Sequence, residues 1–222
     1  MIDYLILIIN HVNISGFSLV MINKNKLDNL GTCIELQKDT QLFTEGQKPK
    51  GVYKIVNGKI KIFTIGHEGK EHIINISIEN DIIGFRTMLS EETYKVSASS
   101  LEKCEIRFVS RDTFMKLMES DTVFRNNIIK MLSKELGDRA LFVTTMSQKT
   151  ARARLAVSLI QLFNLYDGPI NLSREDLANF VGTATENLIR LLKDLKTQGV
   201  IDTKGRLIHI KKLNELKVIS ND

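Results

Sequence analysis

The stretch SREDLANFVGTATENLIRLLKDLKTQG, residues 173–199, contains two helix-start signatures in succession. Ser173 precedes Asp176 by three positions, and Thr183 precedes Glu186 by three positions. At this spacing a hydroxyl can accept from a free backbone N–H while the acidic side chain reaches back, which is the arrangement of a capping box. The stretch therefore predicts two helix N-termini only ten residues apart.

These starts predict two consecutive helices with a tight turn between them. The first covers residues 174–181 and stops at Gly182, because glycine readily adopts the left-handed conformation that ends helices. The second covers residues 184–198 and stops at Gly199. Two helices joined by so short a glycine-containing turn predict a helix-turn-helix.

The second predicted helix has an apolar face and a free face. The apolar face consists of leucines at helical spacing, Leu188, Leu191, Leu192 and Leu195, which we expect to pack on the domain core. The free face carries Thr185, Glu186, Ile189, Arg190 and Lys193. Arginine suits guanine and glutamate can accept from cytosine in the major groove, so this face is a candidate base reader. The same spacing also suits a solvated Glu186–Arg190 pair that only supports the helix, and both interpretations stay open.

A small basic hairpin is predicted directly after the second helix. Residues 200–202 begin a strand, Lys204-Gly205 is a turn, and residues 207–210 alternate back. Upstream, residues 151–166 form an apolar helix that ends at Asp167-Gly168-Pro169, because a helix cannot continue through such a turn. A helix-turn-helix followed by a hairpin is a winged helix.

Residues 172–210 resemble the C-terminal domain of the CRP/FNR family of bacterial transcription regulators. In that family the pair corresponding to Glu186 and Arg190 reads the conserved core of each half-site. Thr185 stands where the cyclic AMP receptor protein has arginine, and Ile189 stands where FNR-like members often have serine. The resemblance implies binding to double-stranded DNA and leaves the exact operator open.

Phosphate contacts are expected from helix N-termini and from the wing. The family resemblance points to Arg174 at the first helix start and to Asn187 on the recognition helix. Lys204 and Arg206 at the wing turn are weaker candidates, since such side chains are more often plain surface charge. Residues 148–222 hold 12 basic and 8 acidic residues, a difference of +4 out of +5 for the chain, which suits a phosphate-binding face.

From Cys33 to Phe108 the apolar residues alternate between turn signals, which predicts many short strands. Asn57-Gly58 is a hairpin-turn signal, and Gly66-His67-Glu68-Gly69 marks another turn. An antiparallel β-barrel or jelly roll fits best, so the fold class is α+β. The order of motifs resembles the family's cyclic-nucleotide-binding-like sensor domain, although spacing alone would equally fit a sugar-binding cupin.

The ligand cassette departs from the cyclic-AMP-binding members of the family. Gly84-Phe85-Arg86 replaces a Gly-Glu-Leu run that holds the ribose, and Tyr94-Lys95 falls where an Arg-Ser pair binds the phosphate. These five residues form the candidate effector pocket, and the departures argue against cyclic AMP. Arg86 or Lys95 could meet an anionic ligand, or both could be solvated loop charges. The effector is unknown, and the four histidines are too scattered to predict a metal site.

The pattern becomes helical from Ser110, and a long helix is predicted over residues 121–147. An interrupted coiled-coil-like seam runs along it through Ile129, Leu132, Leu136, Val143 and Met146. The family resemblance implies that this helix is the interface of a homodimer, while the alternative is a helix that simply lies on the barrel. The predicted domains are residues 1–120, a sensor; residues 121–147, the dimerisation helix; and residues 148–222, a winged helix-turn-helix.

Other classes of function find little support in the sequence. No phosphate-cradling glycine loop, HExxH or nucleophile elbow is present, so we do not expect an enzyme. Cys33 and Cys104 are too few for a four-thiolate iron–sulfur cluster and suit a reducing cytoplasm. A ligand-binding or scaffold module whose helix-turn-helix contacts protein remains the alternative, and transcription activation would require a further surface that touches RNA polymerase.

The first 22 residues are rich in Ile, Leu and Val but do not predict a membrane or secretion segment. Asp3 lies where a signal peptide needs positive charge, and the longest clean apolar run, residues 4–9, is far shorter than a membrane-spanning helix. We expect this leader to pack on the sensor domain, or Met21 to be the true start.

Overall fold

The structure, a computed structural model, describes residues 25–222, so the expectations for residues 1–22 lie outside the described residues. The chain divides into two compact units. The first contains the described residues up to Thr64 together with Ile74–Asp138, and the second contains Ile65–Ile73 together with Arg139–Asp222. The division therefore falls within the long helix and within one β-hairpin.

Two four-stranded antiparallel sheets are built mainly from residues of the first unit. The strands are β1 Thr32–Leu36, β2 Gln41–Phe43, β3 Gly51–Asn57, β4 Ile60–Ile65, β5 Glu71–Ser77, β6 Ile82–Ile83, β7 Ser97–Ser100 and β8 Cys104–Ser110. One sheet has the order β1-β8-β3-β6 and the other β2-β7-β4-β5. Apart from β4 and β5, strands that are neighbours in sequence lie in different sheets, so the architecture is jelly-roll-like rather than a closed barrel, and the predicted α+β class is confirmed.

The Asn57-Gly58 hairpin prediction is wrong. Strands β3 and β4 flank this turn but belong to different sheets, so the turn carries the chain from one sheet to the other. Gly58 has a φ of 95°, and a Cβ there would lie 2.5 Å from the sulfur of Cys104. Glycine is therefore required by close approach to β8 as well as by the turn. The predicted turn between Gly66 and Gly69, by contrast, does join the adjacent strands β4 and β5.

Four helices accompany these sheets: α1 Asn25–Asp28, α2 Phe85–Leu89, α3 Arg111–Ser120 and α4 Thr122–Gln148. Helix α4 begins after Asp121, whose carboxylate accepts from the backbone N–H of Phe124 at 3.0 Å. Phe124, Ile128 and Met131 on the first half of α4 belong to a buried cluster with Phe114 of α3. The long helix predicted over residues 121–147 is therefore present, and its first half is part of the core of the first unit.

The second unit contains a winged helix. Its elements are α5 Ala151–Tyr166, β9 Ile170–Asn171, α6 Arg174–Val181, α7 Thr185–Thr197, β10 Ile201–Lys204, β11 Leu207–Ile210 and α8 Leu213–Ile219. The three strands form a sheet of order β10-β11-β9. These elements confirm the predicted helices and wing, whereas the last helix, α8, was not predicted. Within residues 25–222, no helix combines the length and the apolar character needed to cross a membrane.

Candidate nucleic-acid interface

The two helices of the helix-turn-helix begin in different ways. Ser173 caps α6 as predicted, because its hydroxyl accepts from the backbone N–H of Asp176 at 2.9 Å. The predicted cap by Thr183 is wrong: Ala184 is the N-cap of α7 and makes no side-chain capping bond. Thr183 is buried, and its hydroxyl instead accepts from the side-chain amide of Asn187 at 2.8 Å. The capping-box rule does not consider this competing donor, although it lies only four positions along the chain.

The inner face of α7 is the predicted leucine face. Leu188, Leu191, Leu192 and Leu195 are all buried, none more than 7% exposed. Each fully buried leucine stabilises the fold by about 1.5–3 kcal/mol relative to an exposed one. This face therefore fixes the helix on its domain and leaves the opposite face to solvent.

The outer face of α7 presents the predicted base readers. Glu186, Ile189 and Arg190 are exposed, and Thr185 at the first helical position is partly exposed. Arg190 donates to the side-chain oxygen of Asn187 at 2.8 Å, and within residues 25–222 it makes no ion pair with Glu186. The glutamate and the arginine are thus separately available on one exposed surface.

The predicted phosphate contacts divide into two groups. Arg174 at the start of α6 donates to the backbone carbonyls of Gly205 at 2.9 Å and Arg206 at 3.1 Å, so it ties this helix start to the wing turn. Burial, and then repulsion from Arg206, lower the pKa of the Arg174 guanidinium. The side chains of Lys204 and Arg206 are exposed at that turn. Asn187 is already engaged by its bonds to Thr183 in the preceding turn and to Arg190 on the same helix.

The five candidate effector residues differ in burial and in the groups they contact. Gly84, with φ 88°, precedes α2, and a Cβ there would lie 3.1 Å from the Tyr94 hydroxyl. Tyr94 is buried and stacks on Phe43 with ring centroids 3.9 Å apart. Burial raises the pKa of the Tyr94 hydroxyl, and that hydroxyl has no hydrogen-bond partner among residues 25–222. An aromatic ring thus occupies the core beside the glycine.

The other three effector candidates have different surroundings. Phe85 belongs to the core cluster that packs on α4. Arg86 is exposed and forms an ion pair with Glu135 of α4, and exposed Lys95 lies 3.9 Å from the carboxylate of Glu92. Among the described residues there is also no cluster of three or more His, Cys, Asp or Glu side chains that could hold a metal ion.

The five predicted dimer residues differ in exposure. Ile129, Leu136 and Val143 are 52%, 75% and 64% exposed, and they recur at intervals of seven residues. Leu132 packs partly on the core cluster of the first unit. Met146 is half-buried, with its sulfur 3.6 Å from the position of a Cβ on Gly182. Three of the five therefore form an exposed apolar line along α4.

Sequence reasoning missed two residues that contact the helix-turn-helix. Lys70 and His72 lie in the Ile65–Ile73 segment of the second unit and bond to backbone carbonyls at Thr183 and Asn179. More than 100 positions separate the partners in each bond, and no spacing rule covers such a distance. Only the exposed His67 and the turn around it carried a sequence signal there.

Comparison with known proteins agrees with both halves of this architecture. Residues 33–121 match the family model of the cyclic nucleotide-binding domain, and residues 153–219 match that of the Crp-like helix-turn-helix domain. The chain is 30% identical over 186 residues to the transcriptional activator protein anr of Pseudomonas aeruginosa, covering 79% of this chain and 75% of that protein. It is 29% identical over 216 residues to electron transport regulator A of Shewanella oneidensis, covering 90% and 85%.

Solved structures share the fold. FixK2 from Bradyrhizobium japonicum superposes with a TM-score of 0.78 at 22% identity, over 86% of this chain and 97% of that one. The c-di-GMP-responsive regulator CLP of Xanthomonas campestris gives 0.73 at 18% identity, over 85% and 98%. The two matched domain models and the relative at 30% identity point to the same family. Helix α7 and its exposed face lie within the matched helix-turn-helix domain. The chain belongs to the CRP/FNR family of DNA-binding transcription regulators.

Proposed function

We propose that this regulator binds a palindromic operator as a homodimer, without catalytic activity, and that it does so in the cytoplasm, where bacterial DNA is found. The observation that carries the proposal is the outer face of α7, where Glu186 and Arg190 are exposed above a fully buried leucine face. Thr185 and Ile189 complete that face and would choose among the flanking bases. An arginine that can bond guanine and a glutamate that can accept from cytosine supply direct readout in a major groove.

Backbone contacts would position this face on the duplex. The start of α6 and the wing turn are joined through Arg174, so Lys204 and Arg206 lie on the same element as its two acceptor carbonyls. Cationic side chains and a helix N-terminus held together in this way suit two adjacent phosphates. We propose Arg174, Lys204 and Arg206 as phosphate contacts, and Asn187 as a residue that meets DNA through Arg190 as well as directly.

The homodimer would form along α4. Ile129, Leu136 and Val143 expose apolar side chains at heptad spacing, which is the pattern of a coiled-coil seam. A two-fold dimer places two recognition helices on two half-sites, and this geometry explains why operators of such proteins are palindromic. We propose the functional division as a sensor of residues 1–120, a dimerisation helix of residues 121–147 and a DNA-binding part of residues 148–222.

The sensor would respond to something other than cyclic AMP. Its Gly84 neighbours the buried ring of Tyr94, while Arg86 and Lys95 face carboxylates. A nucleotide phosphate would have to displace Glu135 from Arg86 or Glu92 from Lys95. We propose that any effector is a molecule other than cyclic AMP, and that it acts through different affinities for two states of the protein.

One observation favours a second function. Ile189 is 52% exposed in the middle of the outer face, and it could meet a protein surface as readily as a thymine methyl group. A scaffold module using this face would bind through apolar contact, which depends little on salt. DNA binding through phosphates should instead weaken steeply between about 50 and 200 mM salt.

The decisive experiment is selection of bound sequences from random duplex DNA with the purified protein. A two-fold symmetric motif, bound with a steep salt dependence, would support the regulator, the dimer and the recognition helix together. Absence of enrichment, with or without added cyclic nucleotides and cell extract, would favour the protein-binding module. Arg190→Ala should abolish specific binding while the dimer stays folded, and retained specificity in that variant would refute the base-reading role.

A further inference from the structure

The carbonyls at the end of α6 receive donors from outside the helix-turn-helix. Helix α6 ends at Val181 and Gly182 follows with φ 71°, so the last carbonyls of the helix have no partner within it. Four acceptors near this end have partners elsewhere in the second unit: Asn179 from His72, Val181 and Gly182 from Arg154, and Thr183 from Lys70. Two of these four bonds come from the Ile65–Ile73 segment.

Arg154 of α5 makes two of these four bonds from within the winged-helix part of the chain. Its Nε donates to the Val181 carbonyl at 3.1 Å, and one terminal nitrogen donates to the Gly182 carbonyl at 3.1 Å. Its other terminal nitrogen donates to the Lys149 carbonyl at 2.9 Å. A guanidinium at a helix C-terminus is favourable because it faces the negative end of the helix dipole. Arg154 thus holds the end of α6 independently of the bonds from Lys70 and His72.

His72 at the start of the second hairpin strand holds the next carbonyl. Its Nδ1 lies 2.9 Å from the Asn179 carbonyl oxygen, and because a carbonyl oxygen only accepts, Nδ1 carries the proton. The ring also lies 6.0 Å from the ring of Phe142 on α4, measured between centroids. A Cβ on Gly182 would lie 3.4 Å from the imidazole, so the ring packs directly on the turn.

Lys70 reaches the turn itself. Its ammonium donates to the Thr183 carbonyl at 3.2 Å. The backbone of Lys70 is in turn fixed by the hairpin turn, because its carbonyl accepts from the N–H of Gly66 at 2.9 Å. The segment therefore presents one imidazole and one ammonium to the helix-turn-helix from a closed turn rather than from a loose loop.

The turn that Lys70 holds is connected to the base-reading arginine. The Thr183 hydroxyl accepts from the Asn187 amide at 2.8 Å, and the Asn187 side-chain oxygen accepts from the Arg190 guanidinium at 2.8 Å. Lys70 therefore bonds the backbone of Thr183, and the side chain of the same residue is linked by two hydrogen bonds through Asn187 to Arg190. A side chain held in this way gives up less conformational freedom when it meets a base.

We propose that the Ile65–Ile73 segment is an intramolecular clamp on the turn of the helix-turn-helix, and that Lys70 and His72 are positioning residues for Arg190. The inference deepens the proposed function, since it names what sets the specificity of the same recognition helix. Strands β4 and β5 run from this segment into the first unit, so the clamp is covalently continuous with the sensor.

The test compares His72→Leu, which removes the donor but keeps an apolar side chain, with the matched control His67→Leu on the same hairpin turn. His67 is exposed. The ratio of affinities for the selected operator and a scrambled duplex should fall roughly three- to tenfold in His72→Leu, and should be unchanged in His67→Leu. Because His72 acts on Arg190 through the turn and Asn187, its effect should shrink in the Asn187→Ala background, in which Arg190 is still present and the specificity ratio can be measured. An equal effect in both backgrounds would overturn the clamp.

Lys70 needs a control for direct DNA contact. Lys70→Met should reduce the specificity ratio with an unchanged salt slope, whereas loss of a phosphate contact would lower that slope by about one. Lys70→Arg, which can still donate to the Thr183 carbonyl, should restore the ratio. A lowered slope together with an unchanged specificity ratio would assign Lys70 to the phosphate backbone and overturn its role in the clamp.

Amide hydrogen exchange in the free protein tests the clamp without DNA. In His72→Leu, the amides of Gly182 and Thr183, which bond to the Ala178 carbonyl, should exchange faster than in the wild type. Unchanged exchange would refute the clamp even if the operator is found. Faster exchange in a protein that selects no DNA sequence would instead support the clamp and refute the proposed function.

Discussion

The two faces of α7 use the same helix for opposite purposes. The inner face buries four leucines and so stabilises the folded state. The outer face leaves Glu186, Ile189 and Arg190 in solvent and adds little to the free energy of unfolding. Substitutions should therefore separate cleanly: inner-face changes cost stability, and outer-face changes cost recognition. The comparison teaches that a readout surface can vary without endangering the fold that carries it.

Helix α4 shows a second form of the same contrast. Phe124 and Ile128 in its first half are buried within the first unit, while Leu136 and Val143 further along are exposed although they are just as apolar. An apolar side chain that remains in water has no folding role within its own chain. The exposed face of this helix is where the proposed second copy would bind, whereas the exposed face of α7 is where the proposed DNA would bind.

The largest effect is expected on the inner face of α7. Leu195→Ala should lower the free energy of unfolding by about 2–5 kcal/mol, because it leaves a cavity under the recognition helix. Ile189→Ala on the outer face should change it by no more than about 0.5 kcal/mol. Urea unfolding followed by circular dichroism measures both, and similar losses in the two variants would erase the distinction between the faces.

The inner face was also the part most open to prediction from sequence. Leucine spacing placed the α7 core face correctly, and the proline and glycine after Tyr166 correctly ended α5. Such features depend on local periodicity and on residues with restricted or unusual backbone angles, which act within a few positions.

What the sequence could not give depends on contacts between distant residues. The Asn57-Gly58 hairpin failed because the flanking strands find partners in different sheets. The Thr183 cap is a local exception, because Asn187, only four positions along the chain, donates to the same hydroxyl. The bond between His72 and Asn179 joins residues 107 positions apart, so no window of sequence contains both. The predicted effector pocket stays a prediction.

The next effect concerns the outer face of α4. Leu136→Asp places a charge in the proposed seam and should convert the dimer to monomer at micromolar concentration, because burying an unpaired carboxylate is costly. Val123→Asp is the matched control, since Val123 is 64% exposed on the same helix but lies off the seven-residue spacing. Sedimentation gives the masses. A dimeric Leu136→Asp protein would mean that the seam lies elsewhere.

A smaller effect is expected from the outer face of α7. Glu186→Ala should relax discrimination at one base pair of the half-site by about 1–3 kcal/mol, the usual range for a good base contact. Folding should change little, since Glu186 is exposed. Lys193→Ala, also exposed on α7, should weaken binding to all duplexes alike. Competition binding with single-base operator variants separates the two patterns, and uniform weakening by Glu186→Ala would leave the glutamate as a helix-supporting residue only.

The smallest expected effect is a pH dependence of stability due to His72, which lies outside both faces of α7. Burial lowers the pKa of His72. The hydrogen bond to the Asn179 carbonyl raises this pKa in part, and the positive charges of Arg154 and Lys70 lower it further. The unfolded chain therefore binds a proton more readily than the folded one. The contribution of His72 to stability is complete above the unfolded pKa of about 6.5, and it is lost as the pH falls below that value.

Between pH 7.5 and 5.5 the wild type should accordingly lose more thermal stability than His72→Gln, by on the order of 2 °C in Tm. His67→Gln should follow the wild type, because His67 is exposed on the hairpin turn. Differential scanning calorimetry at the two pH values measures the difference. Parallel losses in the wild type and in His72→Gln would show that the folded protein accepts a proton at His72 as readily as the unfolded chain does. Burial of the imidazole would then have no effect on its protonation, as for a side chain on the exposed face of α7.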